Sequence, residues 1–146
     1  MKLILNSFFL FLFFINFPLV GKEINNKYII KLGGLKIGTL DWNIKINNET
    51  YSNSLSLKNE GIFSALYAFE GKYFSQGHVM KKQLKPRRYS HFWKTNKANK
   101  NMTLIFGEER LSSLKQSPIE KENLRVDVFT INKTKDPLSS FLQIIM

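Results

Sequence analysis

No acidic residue falls between Glu70 and Glu108, and cations gather there: Lys72, Lys81, Lys82, Lys85, Arg87, Arg88, Lys94, Lys97 and Lys100. Tyr89, His91, Phe92 and Trp93 are interleaved with them. Cations among aromatic rings can neutralise an anionic ligand while the rings cover its flat or apolar parts, as single-stranded nucleic acid requires. An anionic lipid head group or an acidic polysaccharide calls on the same chemistry. Lys81, Lys82, Arg87, Arg88, Tyr89, His91, Trp93 and Lys94 are therefore the candidate ligand-binding residues. The plain alternative is a solvated strand face in a lysine-rich chain.

Groups able to react are scarce. The chain has two histidines, His78 and His91, and no cysteine. A bend at Lys85–Pro86 would let the two imidazoles approach across a hairpin. No carboxylate lies near them in sequence to complete the four ligands of a structural zinc. No serine sits in a G-x-S-x-G elbow, and no P-loop or dinucleotide-binding glycine pattern occurs. Neither a metal nor a cofactor is expected, and no catalytic residue is assigned. Asp41, Asp127 and His91 are the acid–base groups that a rival reading, a cell-wall glycan hydrolase or isomerase, would have to use. Such an enzyme needs two carboxylates facing each other.

The elements that must hold these residues are built from 146 residues, enough for one domain. A 43% hydrophobic content with 13 phenylalanines can supply its core. The formal charge is +11, from 22 basic and 11 acidic residues, and the basic ones are mostly lysine. Together with abundant Asn, Ile and Phe, that reads as the bias of an AT-rich genome, and it dilutes the meaning of any single lysine.

Met1-Lys2, the apolar run Phe8–Ile15 and the small residue Gly21 have the layout of a secretory signal peptide. Asn6, Ser7, Asn16 and Pro18 make Leu3–Val20 a poor membrane span, so an uncleaved anchor is the lesser alternative. The expected organisation is a signal peptide over 1–21 and one antiparallel β domain over 22–146. An exported chain without cysteine has no disulfides and suits a bacterial periplasm or cell envelope. Export argues against a nucleic-acid partner. It leaves an anionic lipid or polysaccharide, with membrane contact only peripheral or through the N-terminal segment.

After Gly21 the hydrophobic period is mostly two. Tyr28, Ile30 and Leu32 share a face, and Gly33–Gly34 offers a tight turn. Leu40, Trp42, Ile44 and Ile46 then alternate with Thr39, Asp41, Asn43 and Lys45, and Asn47–Asn48 suits a turn with positive φ. Tyr51, Leu55 and Leu57 return on the apolar face, the pattern of an antiparallel meander with one face buried. Gly61–Gly77 fits a short helix or a strand, and its aromatic content favours the strand. His78–Leu84 and Arg87–Thr95 read as two strands joined at Pro86, which cannot sit inside a paired ladder. Met102–Phe106 forms another strand, the polar stretch Glu108–Asn123 has room for a short one, and Leu124–Ile131 alternates again. At Asp136 a good N-cap precedes Pro137 at the first helical position, with Leu138, Phe141, Leu142 and Ile145 on one face. The expected fold is a curved, mainly β antiparallel sheet tending to an open barrel, with one helix from Asp136.

These residues resemble, in their order, the exported bacterial proteins of the domain of unknown function 3108 family. The family's marks are a Y…G…G strand pair, an S-x-G before a P-x-x-Y strand, and a late D-P-L-S helix start. They fall here on Tyr28, Gly33, Gly38, Gly77, Pro86, Tyr89, Asp136, Pro137, Leu138 and Ser139. The resemblance covers essentially the whole chain after Gly21. It implies an open, barrel-like antiparallel sheet and an envelope protein without an assigned reaction. Family members usually continue past this helix, so "DPLSSFLQIIM", which has no stop signal, reads as a helix start inside a longer fold, the alternative being a naturally short member whose helix frays at its end.

The expected role is thus a non-enzymatic envelope protein that binds or scaffolds an amphipathic or anionic component. The rivals are the glycan enzyme and a structural partner in an outer-membrane assembly. A cavity continuous with the basic strands would favour a ligand, facing carboxylates the enzyme, and a flat apolar patch a protein partner.

Overall fold

The computed structural model describes residues 21–119 and 127–146. Residues 1–20 of the proposed signal peptide and residues 124–126 of the expected last strand lie outside the described residues. Strands β1 (Lys22–Leu32), β2 (Leu35–Ile46) and β3 (Thr50–Asn59) are followed by a one-turn helix α1 (Ile62–Leu66). Then come β4 (Phe69–Met80), β5 (Gln83–Thr95), β6 (Asn99–Phe106), β7 (Leu111–Ser117) and helix α2 (Pro137–Ile145). Among the described residues the strands form one sheet in sequence order, every pair antiparallel. β1 and β7 do not meet, so the sheet is open.

Period-two patterning produces this sheet directly. Leu40, Trp42, Ile44 and Ile46 pair with Leu57, Leu55, Asn53 and Tyr51, which puts all eight on one face. Helix α2 lies on that face against β3, β4 and β5. Its nine residues are too few for a stable isolated helix, so packing holds it. Leu138 and Leu142 are buried; Phe141 stays half-exposed but stacks on Trp42 with ring centroids 5.5 Å apart, and Ile145 remains exposed. Ile44, Tyr51, Leu84 and Leu142 form one buried cluster, and Tyr89, Phe106, Leu111 and Leu138 form a second.

Several local expectations are corrected. The β4–β5 hairpin turns at Lys81 and Lys82, both left-handed with φ of 51° and 63°, and not at Pro86. Pro86 sits inside β5, opposite Gly77, where a β-bulge interrupts the ladder and no proline N–H is needed. The close approach requires glycine on the other side, because a Cβ on Gly77 would lie 2.0 Å from the Lys85 carbonyl oxygen. Asn47 and Asn48 do not take positive φ. Instead the Asn47 Oδ1 accepts the Glu49 and Thr50 backbone N–H groups at 2.9 and 2.7 Å, closing the turn through its side chain. Gly61–Gly77 divides into α1 and the start of β4, so both readings of that segment hold in part. Asp127–Ile131 is a turn and not a strand. The Asp127 carboxylate accepts the Phe129 N–H at 3.0 Å, and local capping overrides the alternation.

Candidate functional site

The eight candidate binding residues are split by the sheet. Tyr89, His91 and Trp93 point to the helix face, where they oppose Ser75, Tyr73 and Gly71. Arg88 and Lys94 point to the other face, opposite Gln76 and Glu70. Lys81 and Lys82 occupy the hairpin turn. Arg87 is the extra residue at the bulge and pairs with Glu108 at 2.8 Å. The eight do not form one contiguous basic face across β4 and β5, because alternation puts Arg88 and Lys94 on the face opposite Tyr89, His91 and Trp93 while Lys81 and Lys82 lie in the turn. His78 opposes Lys85 while His91 opposes Tyr73, so the two histidines are not brought together. Among the described residues no three His, Asp or Glu side chains cluster to hold a metal. Asp41 lies on the face opposite His91, between Lys27 and Ser56, and Asp127 caps its own turn.

Two features that patterning alone did not reveal organise the helix face. The first is a buried polar latch. Asp136 caps α2 by accepting the Ser139 N–H at 2.8 Å, and its second oxygen accepts the Ser75 hydroxyl of β4 at 2.9 Å and the Ser139 hydroxyl. Tyr51 on β3 closes the ring through Ser139 at 2.6 Å. Asn53 donates to the Leu138 carbonyl at 3.1 Å and accepts from the Trp42 indole at 2.7 Å. Asn53, Ser75, Asp136 and Ser139 are all essentially without solvent access. Such a closed network cannot meet a substrate, and its chemistry is to satisfy buried polar groups while fixing the helix in one position. Burial, reinforced by the Asp136 charge, pushes the Tyr89 phenol up to about 12, and burial also raises that of Tyr51. The sequence carried a signal for the latch: Asn53 and Ser75 are polar at inward-facing positions, and a buried polar group demands a partner.

The second feature is a composite groove. Met102, Leu104, Phe106, Leu111 and Leu114 from β6 and β7 line an apolar cavity of about 430 Å³ with Val128 and Ile131. His91, Lys100 and Lys135 stand among its polar lining. Burial, with the Lys100 charge beside it, holds the His91 imidazole below its usual range. A second cavity of about 380 Å³ carries Lys85, Arg87, Arg110, Lys133 and Lys135 against Glu108 and Glu109. Phe106, Thr134 and Lys135 line both cavities, so the two adjoin. At that junction the Thr134 hydroxyl is buried without a hydrogen-bond partner among the described residues. Leaving such a group unpaired costs roughly 1–3 kcal/mol. An apolar groove opening onto cations past an unpaired hydroxyl has the polarity of an amphiphile with an anionic head.

A family model described as a protein of unknown function (DUF3108) matches residues 27–145. No curated protein and no solved structure matches the chain.

Proposed function

We propose that this chain, which belongs to the DUF3108 family, is an exported, non-enzymatic envelope protein that binds an anionic amphiphile: an acyl chain in the β6–β7 groove and an acidic head group among the adjoining cations. One observation carries the reading, the meeting of the two cavities at Thr134, Phe106 and Lys135. Their sizes fall in the range of small-molecule sites, which pair a mainly apolar lining with a few placed polar groups. Arg87, one of the residues singled out from the sequence, contributes to the head-group cavity; Lys85, Arg110, Lys133 and Lys135 supply the rest of its charge. Export is supported by the N-terminal pattern of a charged start and short apolar core.

The test is solvent extraction and mass spectrometry of protein isolated from the periplasm, beside a Leu114→Asp variant and an Arg110→Glu/Lys135→Glu variant. An acidic, acyl-bearing molecule should accompany the wild type and be depleted in both variants. Extracts without such a molecule, or equal amounts in all three proteins, would refute the assignment.

A further inference from the structure

Apolar side chains are exposed together at the end of the sheet remote from the head-group cavity. The β1–β2 turn presents Leu32 and Leu35, each with more than 60% of its surface open. Helix α1 presents Ile62 and Leu66, 73% and 77% open, with Phe63 and Tyr67 beside them. The two are tied together, since the Glu60 N–H donates to the Ile37 carbonyl at 3.0 Å. The exit of α1 is bound to the β5–β6 turn, where Asn96 accepts the Ala68 N–H at 2.9 Å. Lys31, Lys36, Lys58, Lys94 and Lys97 belong to this end, against Glu60 and Glu70 among the described residues. Lys31 and Lys36 are direct cross-strand partners, an arrangement that costs stability when nothing anionic faces it. Glu60 offsets it only in part, through its ion pair with Lys36.

We infer that this end docks on an anionic lipid bilayer. Aliphatic and aromatic tips enter the head-group boundary, and lysines set around them meet the negative surface. A second copy of the chain is a poorer occupant, because it would bring the same lysines against one another. Among the described residues no helix is long and apolar enough to cross a membrane. The inference uses none of the groove residues and stands or falls apart from the amphiphile proposal.

The absence of native cysteine allows single-site labelling. Leu35→Cys and Leu66→Cys report on the docking end and Asn48→Cys, in the β2–β3 turn, on the opposite end; all three positions are exposed. Each full-length variant, carrying an environment-sensitive fluorophore, is mixed with vesicles of phosphatidylethanolamine and phosphatidylglycerol, with and without a lipid-borne quencher. The labels at 35 and 66 should shift to the blue and be quenched, and the label at 48 should not. The response should vanish with phosphatidylcholine vesicles and in a Lys31→Glu/Lys58→Glu/Lys97→Glu background. It should persist in Leu114→Asp, which disables only the groove. Unshifted labels at 35 and 66, quenching as strong at 48, indifference to lipid charge, or shielding of the labels by a co-purifying protein in place of lipid would each overturn the inference.

Discussion

Replacing Asp136 with alanine tests whether the latch holds the helix to the sheet. The variant loses an N-cap, worth about 1 kcal/mol, and two hydroxyl bonds to a carboxylate, from Ser75 and Ser139. Hydrogen bonds to charged groups contribute about 1.5–3 kcal/mol each. Two circumstances reduce the sum. The carboxylate's own burial cost disappears, and the freed hydroxyls still pair with each other at 2.7 Å and with Tyr51. The expected net loss is about 2–4 kcal/mol, a large share of the 5–15 kcal/mol that holds a typical domain. Asp136→Asn keeps a capping oxygen and should lose only about 1 kcal/mol. Equilibrium urea unfolding measures both. Trp42 reports on docking because Phe141 stacks against it, and Trp93→Phe removes the second indole. An Asp136→Ala protein within about 0.5 kcal/mol of wild type would refute the latch as the main anchor. So would unchanged Trp42 emission in a variant destabilised by the expected amount.

Gly77→Ala should destabilise by at least about 3 kcal/mol, since its Cβ would meet the Lys85 backbone at 2.0 Å, beyond what side-chain rearrangement relieves; thermal melts beside wild type measure it. Tyr89 is held protonated in the native state up to about 12. The unfolded chain releases that proton near pH 10, so stability should be intact below pH 10 and fall between 10 and 12; Tyr89→Phe should flatten that slope in denaturant midpoints. His91 is shifted the other way. The unfolded chain takes up its proton first, so stability should fall as the pH drops below about 6.5, and His91→Gln should remove that component.

Most of the sheet was legible because its face pattern is a local property. The alternation through Leu40, Trp42, Ile44 and Ile46 fixes which side is buried, Gly33–Gly34 marks its turn, and Asp136-Pro137 marks the start of α2. What escaped depends on partners distant in sequence. Lysine carries no signal for positive φ, so the turn at Lys81–Lys82 is invisible until Gly77 and Pro86 are known to oppose each other. Val128 continues the alternation of Leu124 and Val126 in the sequence, but together with Ile131 it serves as groove lining from a turn. The residues of the proposed site were only partly legible for a related reason. Charge density singles out a stretch of chain, whereas the cationic cavity draws on β5, the β6–β7 turn and residues 133–135.

The family's marks and the apolar groove occupy largely different residues, and this separates the fold from the proposed ligand site. Gly77, Pro86, Asp136 and Ser139 shape the bulge and the latch, with Ser75 from the S-x-G motif. The apolar groove takes its walls from β6, β7 and the turn after Asp127, and only Asp136 and Pro137 belong to both sets. On the proposed reading, motif residues mainly specify a scaffold, Pro86 being the one mark that also lines the cationic cavity, and residues outside the motifs decide what the site would carry. A double dissociation follows. Ser75→Ala removes a hydroxyl from the latch without touching the groove and should cost about 1–3 kcal/mol of stability, while the folded fraction still retains the amphiphile. Leu114→Asp alters a half-buried groove wall and should deplete the bound amphiphile with a smaller loss of stability. Urea midpoints and lipid content measured on the same preparations separate the two effects. Parallel loss of both properties in both variants would mean that latch and groove form one cooperative unit, and the division between scaffold and ligand site would fail.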